Sequence, residues 1–550
     1  MRLRFNLHAD NDDPPEVRNW RVHLIAIIVS MGPLAMGYDT AVIGGTMALD
    51  SFKRDFGLNS GSQHWRDTLQ GNIVSTFQAG TFFGALFTFA IGEKFGRKKA
   101  IILAVAIFLI GGTLMTCSNG HLPLIYAGRA IAGFGIGSVS LLVPVYIAET
   151  SPPSIRGRLV GIFEVLSQAG GMCGFWINYV VNRTISVDTK VQWIIPLALQ
   201  LLPGVLLLCG IFWCPETPRW YAKQERWEEA IATLSWIRKL PASHEYVRGE
   251  LEEIRRQVSS RNLPSENRNT KRYYLSRIFQ KGTRNRIGIG LLFMAFQNLT
   301  GVNIITYYSP RIFETLGIQG TDTKLFATGF YGVAKTLGMI IFSVWLVEKV
   351  GRRRSLIWGA FIGSIPMWYL GGYVLKSDPT EAAIRGDVAR SGWGYLAMVC
   401  VYLYGLIYCA TWQGITWVYC SEIFPLDIRM LCVAITTADQ WFWSFIISRT
   451  TPYMITSLGY GTYMFFASLM VCMGIWAWCF VPETKGKGLE EMEDIFGVRK
   501  FQDSEQGNGR ESHVEEEEEV NGHDHDHDVG GKPASEHIEN PDVLEKVDRS

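Results

Sequence analysis

The chain has 550 residues, of which 48% are apolar and only 19% are charged. A membrane-spanning helix needs about 20 mostly apolar residues, so the apolar residues suffice for about twelve such helices. The net charge of +1 hides a basic body and an acidic end, because residues 482–550 carry 21 acidic and 8 basic side chains. This composition excludes a secreted disulfide scaffold, a DNA-binding domain and an ordinary soluble enzyme.

Twelve apolar runs follow one another along the chain, and we number them as the first to the twelfth span. They lie at about 24–46, 68–91, 99–117, 122–147, 159–181, 192–214, 286–311, 324–347, 355–375, 393–420, 431–457 and 459–481. The pattern predicts an all-α membrane protein with twelve transmembrane helices. All ten cysteines lie in these runs or at their ends, which indicates packing residues rather than disulfides or metal ligands.

The loops between the spans predict the orientation in the membrane. Basic segments at 93–99, 155–158, 215–285 and 348–354 all fall on one side if the spans alternate in direction. Because Lys and Arg mark the cytoplasmic side, both termini are predicted to be cytoplasmic. The 215–285 segment has helical spacing of mixed charge and is predicted to form short amphipathic helices beneath the membrane domain.

Three motifs occur twice, in the same order. EKFGRKK at 93–99 returns as EKVGRRR at 348–354, and Glu-Thr-Ser-Pro at 149–152 and Pro-Glu-Thr at 215–217 have counterparts at 422–425 and 482–484. The offsets are 255, 273 and 267 residues. The repeat predicts two six-helix halves with a binding site between them. The expected domains are an N-terminal segment (1–22), a first half (23–214), a linker (215–285), a second half (286–481) and a mostly disordered acidic tail (482–550).

Specific motifs extend this interpretation. They are Gly37-Tyr38-Asp39, Gly128-Arg129, Pro215-Glu216-Thr217-Pro218-Arg219, Gln297 with Gly301-Val302-Asn303, and Pro482-Glu483-Thr484. In these motifs the chain resembles the sugar porter family of the major facilitator superfamily over about residues 20–490. Asn19-Trp20-Arg21 and the run 174–179 resemble its fungal quinate-permease-like subgroup, which includes quinate and monosaccharide transporters. The resemblance implies secondary transport by alternating access.

Four of the charged residues inside the spans stand out, because ionisable groups there are costly and usually functional. Asp39 and Arg129 fall at the same depth with opposite charge, and the resemblance implies that Asp39 takes up a coupling proton. A permanently ionised structural pair is the alternative. Glu164 and Lys335 occupy positions that carry uncharged amides in many sugar porters. They either form a salt bridge in one transport state, or Lys335 attracts a carboxylate of the substrate.

The predicted binding face combines amides with aromatic rings. Amides match the hydroxyls of sugars and polyols because each amide both donates and accepts hydrogen bonds. The expected substrate contacts, besides Glu164 and Lys335, are Gln168, Gln297, Asn298, Asn303, Trp417, Gln440 and Trp441. Gly301 is expected to unwind the seventh span locally and turn Gln297 and Asn303 inward. By the resemblance, Tyr307 and Tyr308 form an outer gate.

The cytoplasmic loops carry acids beside the recurring arginines. The expected ion-pair network, which in the family holds the two halves together, comprises Arg97, Glu149, Arg156, Glu216, Arg352, Glu422, Arg429 and Glu483. Simple marking of the cytoplasmic side is the alternative explanation for the arginines.

The leading functional hypothesis is a proton-coupled hexose symporter of the plasma membrane. A quinate or sugar-acid symporter is the alternative substrate class, and a transporter-like sugar sensor is the alternative of another class. No phosphate-binding loop and no nucleophile–base set occur, so neither a pump nor an enzyme is expected. The expected partners are a small sugar, polyol or carboxylate, protons and the lipid bilayer. No cofactor, metal or nucleic acid is expected.

Overall fold

The computed structural model describes residues 14–259, 276–346, 350–377, 392–424 and 428–484. Within these residues the secondary structure is helical and no strand is present. Each of the twelve predicted spans coincides with one helix or with two or three consecutive helices. Residues 1–13 of the predicted N-terminal segment and residues 485–550 of the predicted acidic tail lie outside the described residues.

The first half contains six spans, of which the first and the sixth are each divided into two helices. In chain order the helices are Trp20–Val29 with Met31–Ala48, Gln63–Phe95, Arg97–Thr116, Leu122–Thr150, Pro153–Thr184, and Val191–Leu199 with Leu201–Ile211. A short helix, Asp50–Asp55, follows the first span.

The second half repeats this arrangement with more irregular helices. In chain order they are Lys281–Leu299 with Val302–Thr315, Thr321–Ile341 with the π-helical turn Phe342–Leu346, Arg352–Ser377, Gly392–Tyr408 with the π-helical turn Cys409–Gln413 and Gly414–Glu422, Arg429–Leu458, and Tyr460–Phe480. Wide turns of this kind are common at functional sites.

Eleven of the described spans are long and apolar enough to cross a membrane by length and composition. The ninth span, Arg352–Ser377, falls short of that hydropathy although it is 26 residues long. Its Gly, Ser, Pro, Trp and Tyr residues lower the mean hydropathy. Large apolar side chains are exposed on several spans, with Ile110 at 57%, Ile365 at 64% and Trp478 at 63%. Such a surface is suited to lipid rather than to water.

The predicted amphipathic helices of the linker are present. Three helices, Pro218–Lys223, Trp227–Arg238 and Glu245–Ser259, follow the sixth span. Arg238 attaches them to the first half, because its Nη1 donates to the Thr150 carbonyl at 2.8 Å and its Nη2 pairs with Glu250 at 2.7 Å. The linker therefore lies against the predicted cytoplasmic end of the first half.

Glycines bring neighbouring spans into close contact. Gly80 on the second span packs against Ala130 of the fourth, and a Cβ at Gly80 would lie 2.2 Å from the Ala130 carbonyl oxygen. Gly133 packs in the same way against Phe77, with 2.2 Å to its carbonyl oxygen. Small residues allow helix backbones to approach in this manner inside a membrane.

Three pairs of spans make most of the contact between the two halves. The first span packs against the seventh, the second against the eleventh, and the fifth against the eighth. We call the end of the spans away from the basic loops the outer end, and the end with the basic loops the inner end.

Candidate functional site

A cavity lies between the two halves. The first and fifth spans line it from one half, and the seventh, eighth, tenth and eleventh spans line it from the other. Its polar side chains are Thr40, Ser167, Gln168, Asn303, Thr306, Lys335, Gln413, Gln440 and Ser444, and its aromatic side chains are Phe175, Tyr307, Tyr408, Trp417 and Trp441. The wall thus combines hydrogen-bonding groups with flat apolar rings.

Most of the predicted contact residues lie in this wall. Gln168, Asn303, Lys335, Trp417, Gln440 and Trp441 all line the cavity, as does Tyr307 from the predicted gate. Gln297, Asn298 and Glu164 do not line it. The direct contact with a substrate that was expected of these three residues stays a prediction.

Asn298 lies behind the cavity wall and positions two amides that line it. Its Nδ2 donates to Gln440 Oε1 at 2.7 Å, and its Oδ1 accepts from Asn303 Nδ2 at 2.5 Å. Asn303 also donates to Ser444 Oγ at 3.4 Å. Because these bonds fix the amide orientations, Asn298 helps determine which lining groups donate into the cavity and which accept.

The seventh span breaks where the sequence predicts. Gly301 has a φ of +88° between the helices Lys281–Leu299 and Val302–Thr315. The break directs Asn303 into the cavity, whereas Gln297 stays buried and donates to the Gln413 carbonyl at 3.2 Å. Inward rotation is therefore found for one of the two amides.

Gln413 is a lining residue that the sequence analysis does not identify. Its Nε2 donates to Glu164 Oε2 at 3.3 Å, and its Oε1 accepts from the Tyr408 hydroxyl at 2.8 Å. It lies in the π-helical turn of the tenth span, four residues before Trp417. That spacing places two residues on one face of a helix, which is the signal that could have identified Gln413.

Lys335 presents its ammonium group to the cavity. Its Nζ donates to Thr306 Oγ1 at 3.3 Å and lies 5.7 Å from the centre of the Tyr331 ring. Glu164 lies within electrostatic range but accepts from Gln413 instead. In the part of the chain that the structure describes, no carboxylate forms an ion pair with Lys335. The salt bridge that the sequence analysis leaves open is thus not formed in this conformation.

Asp39 and Arg129 do meet, as their equal depth predicts. Arg129 Nη1 lies 2.5 Å from Asp39 Oδ1, and both side chains are 0% exposed. Arg129 also donates to the Ile73 carbonyl at 3.2 Å and lies over the Phe77 ring. Asp39 Oδ2 and Arg129 Nη2 have no hydrogen-bond partner. A buried carboxylate oxygen without a partner is a place where a proton can bind.

The outer end of the cavity is closed by contacts between the halves. Tyr307 and Tyr308 are 1% and 3% exposed, and the Tyr308 hydroxyl donates to the Ser448 carbonyl at 2.8 Å. Beyond them Arg311 Nη1 pairs with Asp67 Oδ1 of the second span at 2.8 Å. The two tyrosines thus lie on the path between the cavity and the outer end, where an outer gate is expected.

Three residues of the predicted inner-end network, Arg97, Glu149 and Glu216, are joined within the first half. Arg97 pairs with Glu149 at 3.1 Å, and Glu216 accepts the backbone N–H groups of Arg97 and Lys98 at 3.0 Å each. Burial raises the pKa of the Glu216 carboxyl, although these donors and the N–H of Thr217 act in the opposite direction. The network therefore joins the inner ends of the spans of this half.

The repeat motif gives the second half a similar arrangement. Glu483 accepts the backbone N–H groups of Arg352 at 2.9 Å and Arg353 at 3.2 Å. Arg429 donates to the Phe424 carbonyl. The side chain of Glu422 lies outside the described residues, and Arg156 has Arg219, Arg238 and Glu250 as charged neighbours. The role of these residues in holding the two halves together stays a prediction.

Comparisons with known proteins identify the family of this chain. Residues 25–496 match the family described as sugar (and other) transporter. A probable quinate permease of Aspergillus clavatus is 42% identical over 500 residues, which cover 90% of this chain and 91% of the permease. A quinate permease of Neurospora terricola is 42% identical over 496 residues, covering 90% and 92% of the two chains.

A solved structure has the same fold. The proton:xylose symporter XylE bound to 6-bromo-6-deoxy-D-glucose has a TM-score of 0.72 and 27% identity, covering 86% of this chain and 99% of XylE. Similarity over both halves confirms the predicted fold of the major facilitator superfamily. The relatives are transporters, so the expectation of a transporter rather than an enzyme is confirmed as well.

Proposed function

The chain belongs to the sugar transporter family, and on that basis we propose that it is a proton-coupled carrier of a polyhydroxylated carboxylate of the quinate class. Transport would proceed by alternating access around the cavity between the halves. We further propose that the protein acts in the plasma membrane with both termini in the cytoplasm, as the basic loops indicate.

The observation that carries the substrate class is the cation in the cavity wall. Lys335 Nζ contacts a hydroxyl and an aromatic ring, and no described carboxylate pairs with it. A buried ammonium group without a counter-ion is costly, so a bound carboxylate would supply the missing charge. Around it, Gln168, Asn303 and Gln440 suit the hydroxyls of a polyol ring, and Trp441 suits its apolar face.

The names of the relatives support the same substrate class. Two fungal proteins that align over nine-tenths of this chain are named probable quinate permease and quinate permease. Quinate carries one carboxylate and several hydroxyls on a six-membered ring, which is the combination that the cavity wall accommodates.

The buried pair Asp39–Arg129 supports proton coupling. Protonation of Asp39 would remove the attraction that holds Arg129 and free the guanidinium for other contacts. The pair lies beside the gate residue Tyr307, which is within electrostatic range of both charges. A change at the pair can therefore reach the seventh span. XylE, whose fold this chain shares, is itself named a proton:xylose symporter.

The test is uptake in cells that lack their own quinate and hexose carriers. Radiolabelled quinate, galacturonate, glucose and fructose are compared with and without a protonophore, for the wild type and for Lys335→Gln. We expect quinate uptake that the protonophore abolishes, and at least a tenfold increase of KM in Lys335→Gln from the loss of a charge-assisted hydrogen bond. Lys324→Gln, at the outer end of the same span and paired with Glu314, is the matched control.

Other outcomes would support the remaining functions. Hexose uptake without quinate uptake would establish a hexose symporter, which the lining amides and indole rings also suit, and would leave Lys335 a structural role. Equal quinate kinetics in Lys335→Gln and the wild type would contradict the assigned carboxylate site. Surface expression without uptake of any of the four compounds would favour a sugar sensor.

A further inference from the structure

Two arginines of the second half contact the same turn of the second span at the outer end. Arg311 Nη1 pairs with Asp67 Oδ1 at 2.8 Å and donates to Gln70 Oε1 at 3.1 Å. Arg449 packs against the adjoining Gly71, where an added Cβ would lie 2.8 Å from its Nη1. The second span thus covers both guanidinium groups while the outer end is closed.

The two arginines differ in their partners. Asp67 is 2% exposed and accepts from Arg311, from Thr456 Oγ1 at 2.7 Å and from Gln63 Nε2 at 2.9 Å. Arg449 donates to the Tyr453 hydroxyl at 3.0 Å and lies over that ring. Among the described residues no carboxylate forms an ion pair with Arg449.

Opening the outer end changes which charged groups lie beside the two arginines. In alternating access the second span moves away from the seventh and eleventh spans, and Asp67 moves with it. Arg311 and Arg449 then remain on the second half without the carboxylate of Asp67. We infer that these two arginines form an anion-binding site at the outer mouth, which captures the carboxylate of the incoming substrate before it reaches Lys335. This inference rests on the proposed function.

The chemistry of the site suits this role. A guanidinium group binds a carboxylate through two parallel hydrogen bonds, and it stays charged at every physiological pH. Asp67 forms an ion pair with Arg311 in the closed state, so a substrate carboxylate would compete with Asp67 for the same guanidinium group. Capture is therefore possible only while the outer end is open. Tyr308 lies within electrostatic range of Arg311, Arg449 and Arg129, so positive charge continues inward from the mouth.

The test separates capture of charge from an effect on the gate. Initial rates of radiolabelled quinate uptake are measured over a concentration series for the wild type, Arg449→Gln and Arg449→Lys. We expect KM to rise roughly tenfold in Arg449→Gln with little change in maximal rate, since one charge-assisted contact is lost. Arg449→Lys should recover part of the loss. Arg54→Gln is the matched control and should leave KM unchanged, because Arg54 is an outer arginine whose described contacts, with Asp55 and the 187–188 loop, all lie within the first half.

Competition by the methyl ester of quinate completes the test, because the ester keeps the ring but carries no charge. Its inhibition constant should be the same in the wild type and Arg449→Gln. An equal rise for the ester and for quinate would overturn the inference by showing that Arg449 acts on the gate, and an unchanged KM for quinate would overturn it outright. Both results leave the proposed function standing, whereas a wild type that carries no carboxylate overturns both proposals.

A second measurement needs no variant, so it tests the anion-binding site even if Arg449→Gln does not reach the membrane. Raising the ionic strength at constant osmolarity screens exposed charges. The wild-type KM for quinate should then rise while the inhibition constant of the ester stays constant. A quinate KM that does not respond to salt would contradict a charged capture site.

Discussion

Asp39 is the residue whose surroundings best match an exchangeable proton. It is fully buried with Arg129, yet one oxygen of the carboxylate and one nitrogen of the guanidinium lack hydrogen-bond partners. A purely structural pair would gain from satisfying these atoms, since a buried ion pair adds little stability by itself. The unsatisfied atoms therefore favour coupling over a permanently ionised pair.

Asp39→Asn should separate transport from its driving force. The neutral amide resembles the protonated carboxyl, so we expect loss of pH-driven accumulation while exchange of labelled for unlabelled substrate continues. Accumulation ratios and counterflow in the same cells measure the two processes. Asp50→Asn, an exposed carboxylate near the outer end of the same span, is the control. Accumulation that still follows the pH gradient in Asp39→Asn would contradict the coupling role.

A substitution of Glu164 tests whether the substrate bound in the cavity is negatively charged. Its carboxylate lies behind Gln413 and carries the same charge as the proposed substrate. Glu164→Gln removes that repulsion and keeps an acceptor for Gln413, so the KM for quinate should fall about threefold, which corresponds to roughly 0.6 kcal/mol. Lys335→Gln shifts KM in the opposite direction. A rise of the quinate KM in Glu164→Gln would indicate instead that Glu164 pairs with Lys335 in another transport state.

The break in the seventh span is the element on which the cavity depends most. Gly301 adopts a left-handed conformation that costs other residues roughly 1–2 kcal/mol. A Cβ there would also lie 2.8 Å from the Phe466 ring of the twelfth span. The break allows the second part of the span to direct Asn303 and Tyr307 into the cavity.

Gly301→Ala should therefore lower the maximal rate of uptake and the thermal stability of the purified protein. Gly288→Ala provides the comparison, because Gly288 lies in the first helix of the same span with nothing within 4 Å of an added Cβ. That change should leave stability equal or raise it by about 0.5–1 kcal/mol, since alanine favours a helix over glycine. Equal melting temperatures and rates for the two variants would show that the break does not need glycine.

The spans themselves were predictable because a run of apolar residues is a strong and local signal. All twelve predicted runs coincide with helices, and the basic loops between them follow the repeat. Side-chain direction was less predictable. The four-residue spacing to Trp417 indicates a shared helix face for Gln413, but it does not reveal the π-helical turn that shifts the register of the tenth span before this residue. Gln297 was expected in the cavity but stays buried. The orientation of the helices on either side of Gly301 depends on packing against other spans, which the sequence of one span does not show.

Sequence patterns also missed the contacts that join the halves. Asp67, Arg311 and Thr456 come from three spans and belong to no repeated motif. The repeat directs attention to the inner end, where the described ion pairs of Arg97 lie within one half. At the outer end, by contrast, Asp67–Arg311 and the hydrogen bond between Asn182 and Asp322 join the two halves directly. Polar contacts between the halves in this conformation thus hold the outer end closed.

Weakening the Asp67–Arg311 pair should shift the whole molecule toward the outward-open state. Asp67 is nearly fully buried, so the loss of its charge-assisted bond in Asp67→Asn should destabilise the closed state by roughly 2 kcal/mol. That corresponds to about a 30-fold change in the ratio of closed to open molecules.

A cysteine at Ser444 in the cavity wall reports this ratio through its labelling rate with a membrane-impermeant thiol reagent added outside. We expect faster labelling in Asp67→Asn, and no change in Asp188→Asn, an exposed outer carboxylate whose described side-chain hydrogen bond, from Ser186, stays within its own loop. The same protein without the Ser444→Cys change corrects for the native cysteines. Equal labelling rates in the two aspartate variants would mean that apolar packing around Tyr307 and Tyr308 closes the outer end without help from the ion pair.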